Sequence, residues 1–365
     1  MGRSTIHSPY MEFAKLRSTA RFNLATSGVM SYPLAELPVQ LDRMEINGPT
    51  FYGYEPLLER LAKKNGVTPD CVVYINGGTS LANHLAMAGT TEPGDAVLIE
   101  SPGYELLDTA ARFLGLEVRH FDRRFDKEFK LGIGEIERKA TPDTRLIVIT
   151  NLHNPSGVLA DNETLRKVGD IARSVGARVL VDEVYLDMAF ENTPPSSFHL
   201  DPATFVVTNS LTKVYGLSGL RCGWILAAPE LATRIWRIHD LYAATPVHPA
   251  ELLSVIALDH LPKIAARGKA LLAANRALVD SFLDARADLD VVRPEFGTVV
   301  FPRLRKGSVE RLFALAREKY ETSFVPGSFF AMPQHFRIGL GGDTETLREG
   351  LQRLVRALDD VAATA

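Results

Sequence analysis

The sequence predicts an α/β fold in which a mostly parallel central sheet carries helices on both faces and is followed by a smaller α+β C-terminal domain. Three observations predict it. Short apolar runs rich in Val and Ile recur along the first part of the chain, helical patterns separate them, and after about residue 245 long helical segments replace this alternation. Regular alternation of strand and helix is typical of βαβ units with a parallel sheet.

The apolar runs predict the strands of the sheet. They are short and apolar at successive positions, as in strands that are buried on both faces. The runs are Val72 to Ile75, Ala96 to Ile99, Leu146 to Ile149, Val179 to Val181, Phe205 to Val207 and Trp224 to Ala227. Because ligands of such sheets bind beyond the carboxyl ends of the strands, we expect the residues after these runs to share a site.

The connecting segments predict crossover helices. From Asp161 to Val175, apolar residues recur at helical spacing and Asp161 is a suitable N-cap. The later part of the chain predicts helices at Ala250 to Leu261 and Ile264 to Ala287 and strand-like pieces at Asp290 to Val292 and Thr298 to Phe301.

The same change of pattern predicts the domain organisation. We expect residues 1–40 to form an N-terminal arm and part of a small domain, residues 41–249 to form a large ligand-binding domain, and residues 250–365 to form a small C-terminal domain.

The composition argues against several classes of partner. A formal net charge of −3 over 365 residues offers no basic footprint for nucleic acid. No apolar run approaches the roughly 18 residues that cross a bilayer, so we expect no membrane span. The two cysteines, Cys71 and Cys222, lie in or beside apolar segments, as reduced thiols of a cytoplasmic protein do.

Two strand ends supply a glycine-rich turn and an aromatic ring. Asn76–Ser80 (NGGTS) follows the first run and precedes a helical segment, an arrangement that turns backbone N–H groups toward an anion. Tyr104 follows the second run and has a ring suited to stacking on a planar cofactor. Taken singly, both features are equally typical of ordinary loop geometry and packing.

The other strand ends carry polar and charged groups. Asn154 follows the third run, Asp182 directly follows the fourth with Tyr185 close behind, and Lys213 and Arg221 follow the fifth. A carboxyl group at such a buried position is costly without a partner, which favours a functional role for Asp182 over a solvated one. Lysine and arginine alone are typical of a surface, but the convergence of all these groups at one edge favours a single site.

The segment Ser210–Gly223 (SLTKVYGLSGLRCG) resembles the lysine-attachment signature of the class I/II aminotransferases, which are pyridoxal 5′-phosphate (PLP) enzymes of fold type I. The resemblance extends from about Phe22 to about Leu358. It implies that Lys213 holds PLP as a Schiff base, the internal aldimine, and later moves a proton between the substrate and the cofactor. The implied reaction is a ping-pong transfer of an amino group from an L-amino acid to a 2-oxo acid.

The resemblance also assigns the contacts of the cofactor. Asp182 pairs with the pyridine nitrogen and keeps it protonated, so that the ring accepts electrons. Asn154 and Tyr185 hydrogen-bond the phenolic oxygen, and Tyr104 stacks on the ring. The implied phosphate contacts are Gly78, Thr79, Ser80, Ser210 and Arg221.

For the substrate, the resemblance points to both ends of the chain. Phe336–Gly339 (FRIG) is similar to the family's segment whose arginine, here Arg337, clamps the substrate α-carboxylate together with Asn154. Gly28 resembles the N-terminal residue whose backbone closes over the same carboxylate. A homodimer is implied, but the tyrosine that reaches the neighbouring subunit's phosphate is missing at the family's spacing, and Tyr52 is the nearest replacement.

Other reactions stay open at this point. A C–S lyase, a decarboxylase or a cyclising synthase would use the same residues, because the cofactor performs the difficult chemistry. A PLP-sensing regulator would need an attached DNA-binding domain, for which the stretch before Phe22 is too short. No metal site is expected, since the nine histidines show no ligand spacing. The sequence does not identify the amino donor or acceptor.

Overall fold

A seven-stranded sheet lies at the centre of the protein, as seen in a computed structural model that describes residues 5–363. Short strands from the two ends of the chain form three smaller sheets. The strands are β1 (Phe22–Asn23), β2 (Val72–Ile75), β3 (Ala96–Ser101), β4 (Glu117–Asp122), β5 (Thr144–Thr150), β6 (Arg178–Asp182), β7 (Phe205–Ser210), β8 (Gly223–Leu226), β9 (Leu289–Asp290), β10 (Val299–Val300), β11 (Arg303–Leu304), β12 (Thr322–Ser323), β13 (Val325–Pro326) and β14 (Phe336–Gly339).

Helices separate most of the strands of the central sheet and make up much of the remaining chain. Residues 1–4 and 364–365, at the outer ends of the predicted arm and the predicted C-terminal domain, lie outside the described residues. The helices are α1 (Pro9–Leu16), α2 (Glu55–Asn65), α3 (Gly78–Thr90), α4 (Glu105–Phe113), α5 (Ile133–Lys139), α6 (Asn162–Val175), α7 (Pro229–His239), α8 (His248–Asp259), α9 (Leu261–Asp284), α10 (Val309–Glu318) and α11 (Thr344–Ala362).

The order of the central sheet is β2-β8-β7-β6-β5-β3-β4. Neighbouring strands from β7 to β4 pair in parallel, whereas β8 is antiparallel to both β2 and β7. Six strands therefore point the same way, and the carboxyl ends of β5, β6 and β7 lie side by side at one edge.

The two faces of the sheet are buried under different helices. In β5, Ile147 and Ile149 belong to one apolar core and Leu146 and Val148 to the other, as the alternation of side chains along a strand requires. Helices α3, α4 and α7 cover the second core, whereas α2, α6 and the C-terminal elements share the first. This packing explains why the strands are apolar at successive positions.

Local signals set the ends of the crossover helix α6. The Asp161 side chain accepts a hydrogen bond from the Thr164 backbone N–H at 2.7 Å, so the predicted N-cap forms. At the other end, Gly176 has a φ of 76°, the left-handed conformation that commonly ends a helix at glycine.

The chain ends meet beside the large sheet. Strand β1, near the N-terminus, pairs in parallel with β12, and β14 lies between β10 and β13 in an antiparallel three-stranded sheet. Along the described residues, no helix combines the length and the apolar character needed to cross a bilayer.

The predicted α/β fold class is confirmed, and one strand of the central sheet was missed. Strand β4 was not predicted, because this edge strand is largely exposed and lacks an apolar run. The β8 run was predicted as a buried strand of a mostly parallel sheet and is one, although the sequence analysis did not predict its antiparallel direction.

Candidate active site

The carboxyl ends of the central strands open onto a cavity of about 600 Å³. Nine of the residues predicted from the sequence lie on its wall: Gly28, Thr79, Ser80, Tyr104, Asn154, Asp182, Tyr185, Lys213 and Arg221. The structure thus brings together groups that are separated by up to 193 positions in the chain, from Gly28 to Arg221. Lys213 and Asp182, the two groups on which the prediction depends most, face the same cavity.

Lys213 lies in the turn after β7, and its Nζ donates a hydrogen bond to Ser27 Oγ at 2.9 Å. Burial lowers the pKa of the Lys213 amine below its ordinary value, against the opposing charge of the Asp182 carboxylate. A lysine with a lowered pKa is neutral more of the time, which is what a nucleophile or a general base needs.

Asp182 ends β6 and is almost fully buried. Its Oδ2 accepts a hydrogen bond from Asn83 Nδ2 at 2.7 Å, and its Oδ1 accepts one from the Val184 backbone N–H at 3.1 Å. Asn83, on α3, was not predicted from the sequence. Burial raises the pKa of Asp182 to about 6, because these two hydrogen bonds and the Lys213 charge offset only part of the lost hydration.

This raised pKa predicts how the stability of the cofactor-free protein depends on pH. The pKa of Asp182 rises from 3.8 to about 6 on folding, so between these values the folded protein holds a proton that the unfolded chain has lost. Stability therefore falls as pH rises through this window, by about 3 kcal/mol. The Asp182→Asn variant cannot ionise, so we expect its free energy of unfolding to exceed that of the wild type at pH 7.5 but not at pH 3.5.

Urea unfolding of both proteins without cofactor, from pH 3.5 to 7.5, measures this difference. The exposed Asp170→Asn substitution serves as the control, because Asp170 lies on the outer surface of α6. Parallel pH profiles for the wild type and Asp182→Asn would contradict the prediction.

At the predicted phosphate end, two residues lie differently from the expectation. The Gly78 backbone N–H donates to the Arg221 carbonyl at 2.9 Å and is thus not free for an anion. Ser210 Oγ is fully buried and accepts a hydrogen bond from Thr79 Oγ1 at 2.8 Å, so in this structure Ser210 holds Thr79 rather than facing the cavity. The wall is formed instead by Thr79, Ser80 and Arg221, together with Thr212.

The geometry nevertheless requires glycine at position 78. Its φ is 66°, and a Cβ atom there would lie 2.8 Å from Arg221 Nη2. Gly78 therefore acts by letting the Arg221 side chain pack over the start of α3, where the guanidinium also bonds the Gly77 carbonyl.

Arg337 on β14 is fully buried just behind the cavity wall. Its Nη1 donates to Asn154 Oδ1 at 2.8 Å and its Nη2 donates to Tyr10 Oη at 2.9 Å, while Nε has no hydrogen-bond partner in the part of the chain that the structure describes. Since Asn154 uses its oxygen on Arg337, its Nδ2 donor remains for a group in the cavity. Tyr10, on α1, was not predicted and covers the side of Arg337 that faces the cavity.

A buried ion pair supports the Asn154 turn from behind. Arg123 Nη1 donates to Glu100 Oε2 at 2.9 Å, and Glu100 Oε1 accepts hydrogen bonds from both the backbone and the hydroxyl of Thr150. The Thr150 hydroxyl, with its hydrogen directed to the carboxyl group, accepts the Asn154 backbone N–H at 3.1 Å. Sequence reasoning missed this chain of contacts, because no local pattern links residues 100, 123 and 150.

The cavity residues fit PLP. One end offers hydroxyl groups and the Arg221 guanidinium, a donor set suited to a phosphate dianion. The Thr212 hydroxyl is buried there and has no hydrogen-bond partner among the described residues. Among residues 5–363, the buried Asp182 carboxyl has no cationic partner in hydrogen-bonding contact, and a protonated ring nitrogen would supply one. Within residues 5–363, no cluster of three or more His, Cys, Asp and Glu side chains is arranged to hold a metal ion.

Comparisons with known proteins agree in pointing to one family. Residues 35–354 match the family model described as aminotransferase class I and II. A capreomycidine synthase of Streptomyces vinaceus is 27% identical, over 93% of this chain and 90% of that protein. A probable aspartate/prephenate aminotransferase of Aquifex aeolicus is 27% identical, over 84% of this chain and 81% of that protein.

Solved structures give the same result. The crystal structure of a PLP-dependent aminotransferase from Streptococcus suis has a TM-score of 0.89 and 25% identity, and the match covers 96% of this chain and 97% of that one.

Proposed function

The chain belongs to the class I and II aminotransferase family, and from this premise we propose that it transfers an amino group from an L-amino acid to a 2-oxo acid, using PLP held on Lys213. The observation that carries the proposal is the common cavity of Lys213 and Asp182, with Arg337 buried directly behind its wall. A catalytic amine, a carboxyl group for the ring nitrogen and a guanidinium for a carboxylate are the groups that this reaction requires.

PLP, when bound, supplies an electron sink for the negative charge that develops at the substrate α-carbon. The proposed task of Asp182 is to keep a proton on the ring nitrogen, and Asn83 and the Val184 N–H orient its two oxygens for this. The proposed task of Lys213 Nζ is to accept the proton from the α-carbon of the substrate as a general base and to donate it again as a general acid.

Binding and orientation are the proposed tasks of the remaining residues. Asn154 Nδ2 and the Tyr185 hydroxyl donate to the phenolic oxygen, and Tyr104 packs on the ring. Arg221, together with the hydroxyl and N–H donors at the start of α3, binds the phosphate.

Arg337 binds the substrate carboxylate in this proposal, with Gly28 beside it. Binding there requires the Tyr10 hydroxyl to give up or share Nη2, since that nitrogen is bonded to Tyr10 in the present structure. The Tyr10 side chain therefore has to turn aside, or Nη2 has to serve both partners, when the substrate binds.

We also propose that the protein acts as a cytoplasmic homodimer. Several large apolar side chains are exposed in two segments, Leu41 to Tyr52 and Leu241 to Val247. The two segments are joined, because Tyr52 Oη donates to Asp240 Oδ2 at 3.2 Å. An apolar surface of this kind is typical of a protein interface, and Tyr52 would then be near the partner. Free thiols at Cys71 and Cys222 are in keeping with a reducing compartment.

The domain organisation is proposed as the sequence predicts it, with residues 41–249 as the large domain and 250–365, joined by the 1–40 arm, as the small one. The pairing of β1 with β12 supports the assignment of the arm to the small domain.

A cyclising synthase is the second candidate, and the similarity to a protein named capreomycidine synthase favours it over the other PLP reactions. The two functions differ in whether the amino group leaves the substrate and stays on the enzyme.

A half-reaction assay distinguishes them. We expect an amino acid from a panel of common donors to convert the bound cofactor to pyridoxamine phosphate and to release one equivalent of 2-oxo acid, followed by recovery on addition of 2-oxoglutarate or pyruvate. The visible absorbance of the cofactor and the chromatography of the oxo acid measure this. Multiple turnovers without an acceptor, or no pyridoxamine phosphate with any donor, would contradict transamination.

A further inference from the structure

The side chain of Ser27 makes a contact with Lys213 that the resemblance to known enzymes did not suggest. Its Oγ lies 2.9 Å from Lys213 Nζ, and it stands on the cavity wall beside Gly28. The two residues are 186 positions apart, so the contact depends on the tertiary fold.

The Ser27 backbone is held on both sides. Its carbonyl accepts a hydrogen bond from Thr298 Oγ1 at 2.7 Å, and two residues later the Val29 N–H donates to the Lys213 carbonyl at 2.9 Å. Between them, a Cβ atom on Gly28 would lie 3.2 Å from both backbone and side-chain atoms of Lys213. The segment therefore packs tightly against Lys213, and the Ser27 hydroxyl has little freedom to move away from the amine.

The chemistry of the two groups determines which one donates the hydrogen bond. A protonated lysine amine only donates, so Ser27 Oγ is the acceptor, and the serine hydrogen is left for another acceptor. Burial raises the pKa of the Tyr185 phenol above its ordinary value, while the Arg337 charge and a hydrogen bond from Ser27 act in the opposite direction. The Ser27 hydroxyl thus contacts Lys213 directly and also acts on the pKa of Tyr185.

We propose that Ser27 is a positioning residue for the catalytic amine, holding Lys213 Nζ at the wall of the cavity whenever that amine is not bonded to the cofactor. The inference rests on the proposed role of Lys213. As a consequence of this contact, the released amine stays within reach of the substrate instead of turning toward solvent. The entropic cost of ordering the long lysine side chain again in each cycle is thereby avoided.

In the protein without cofactor, the pKa of the Lys213 amine depends on its hydrogen bond with Ser27 and can therefore be used to detect that contact. Accepting a hydrogen bond from the charged amine favours the protonated form, so removing the acceptor lowers the pKa of Lys213 further. The other titratable or charged groups that act on the amine are Tyr10 on α1, Asp182 at the end of β6, Arg221 before β8 and Arg337 on β14.

Competitive acetylation of the cofactor-free protein at several pH values, read by mass spectrometry of the Lys213 peptide, tests the proposal. Only the neutral amine reacts, so at pH values where the wild-type amine is mostly protonated we expect Ser27→Ala to be acetylated at Lys213 about three- to tenfold faster than the wild type. Ser27→Thr keeps the hydroxyl and is expected to react like the wild type. Ser174→Ala is the control, because the Ser174 hydroxyl donates to the Ile171 carbonyl within α6.

Equal acetylation of Lys213 in Ser27→Ala and the wild type at every pH would overturn the proposal. So would a Ser27→Thr protein that reacts as fast as Ser27→Ala, since packing and not the hydroxyl would then be responsible. Because the labelling uses no substrate and no cofactor, its outcome is separate from the half-reaction assay, whose failure would count against the proposed function alone.

Discussion

Replacing Lys213 with alanine is expected to abolish covalent attachment of PLP and to lower the rate of transamination by a factor of about 10² to 10⁴. The reason is that one amine both anchors the cofactor and moves the proton, and no other amine lies on the cavity wall among the described residues. Intact mass after borohydride reduction measures the attachment, and steady-state kinetics with the preferred donor measure the rate.

The control for this substitution is Lys167→Ala. Lys167 is exposed on α6 and pairs with Glu163, so its loss leaves the cavity untouched. A Lys213→Ala protein that still gains the mass of one reduced cofactor, or that keeps the wild-type rate, would contradict the assignment of this lysine.

Replacing Arg337 with methionine is expected to lower kcat/KM for both the amino acid and the 2-oxo acid by about two to three orders of magnitude. The substitution removes the buried charge that receives the substrate carboxylate, and it leaves Asn154 Oδ1 and Tyr10 Oη without their donor. Arg337→Lys keeps the charge without the planar fork, so we expect an intermediate loss that appears mainly as a higher KM.

Affinity for PLP separates this effect from general damage to the site. We expect PLP to bind Arg337→Lys nearly as tightly as it binds the wild type, because the arginine lies behind the carboxylate site and not at the phosphate end. Arg303→Lys is the matched control, since Arg303 is bonded to Asp290 at the surface of the same region. Unchanged KM values in Arg337→Lys would show that the carboxylate binds elsewhere.

Much of the fold follows from the sequence because burial on both faces leaves a strong local signal. The apolar runs that correspond to β2, β5 and β6 were recognised because their residues are apolar at successive positions. The polar residues that follow each run indicate where the strand ends. The edge strand β4 left no such signal, because a strand that faces solvent needs few apolar side chains.

The candidate site was predictable where chemistry follows directly after a strand. Asp182 is of that kind, because a carboxyl group at the end of a buried run is costly without a partner, whereas the role of Lys213 was assigned through the resemblance of Ser210–Gly223 to a known signature. Asn83, Ser27 and Tyr10 were not predictable, because each matters only through a partner far along the chain. Ser27 is the neighbour of Gly28 in the sequence, but a single small polar residue forms no motif from which its contact with Lys213 could be predicted.

The expected phosphate contacts show a different limit of sequence reasoning. Gly78 and Ser210 are in the expected places, yet in this structure the Gly78 N–H is taken by the Arg221 carbonyl and Ser210 lies behind Thr79. A motif identifies which residues gather at the start of a helix, whereas the choice of hydrogen-bond partners depends on distances of a few tenths of an ångström.

Peptide mapping of the borohydride-reduced holoenzyme tests most directly whether the amine opposite Asp182 carries the cofactor. Trypsin does not cleave after a modified lysine, so attachment at Lys213 predicts a labelled peptide of residues 179–221, since no lysine or arginine lies between 179 and 212 or between 214 and 220. Recovery of residues 179–213 as an unmodified peptide, with the cofactor on another lysine, would contradict the proposed catalyst.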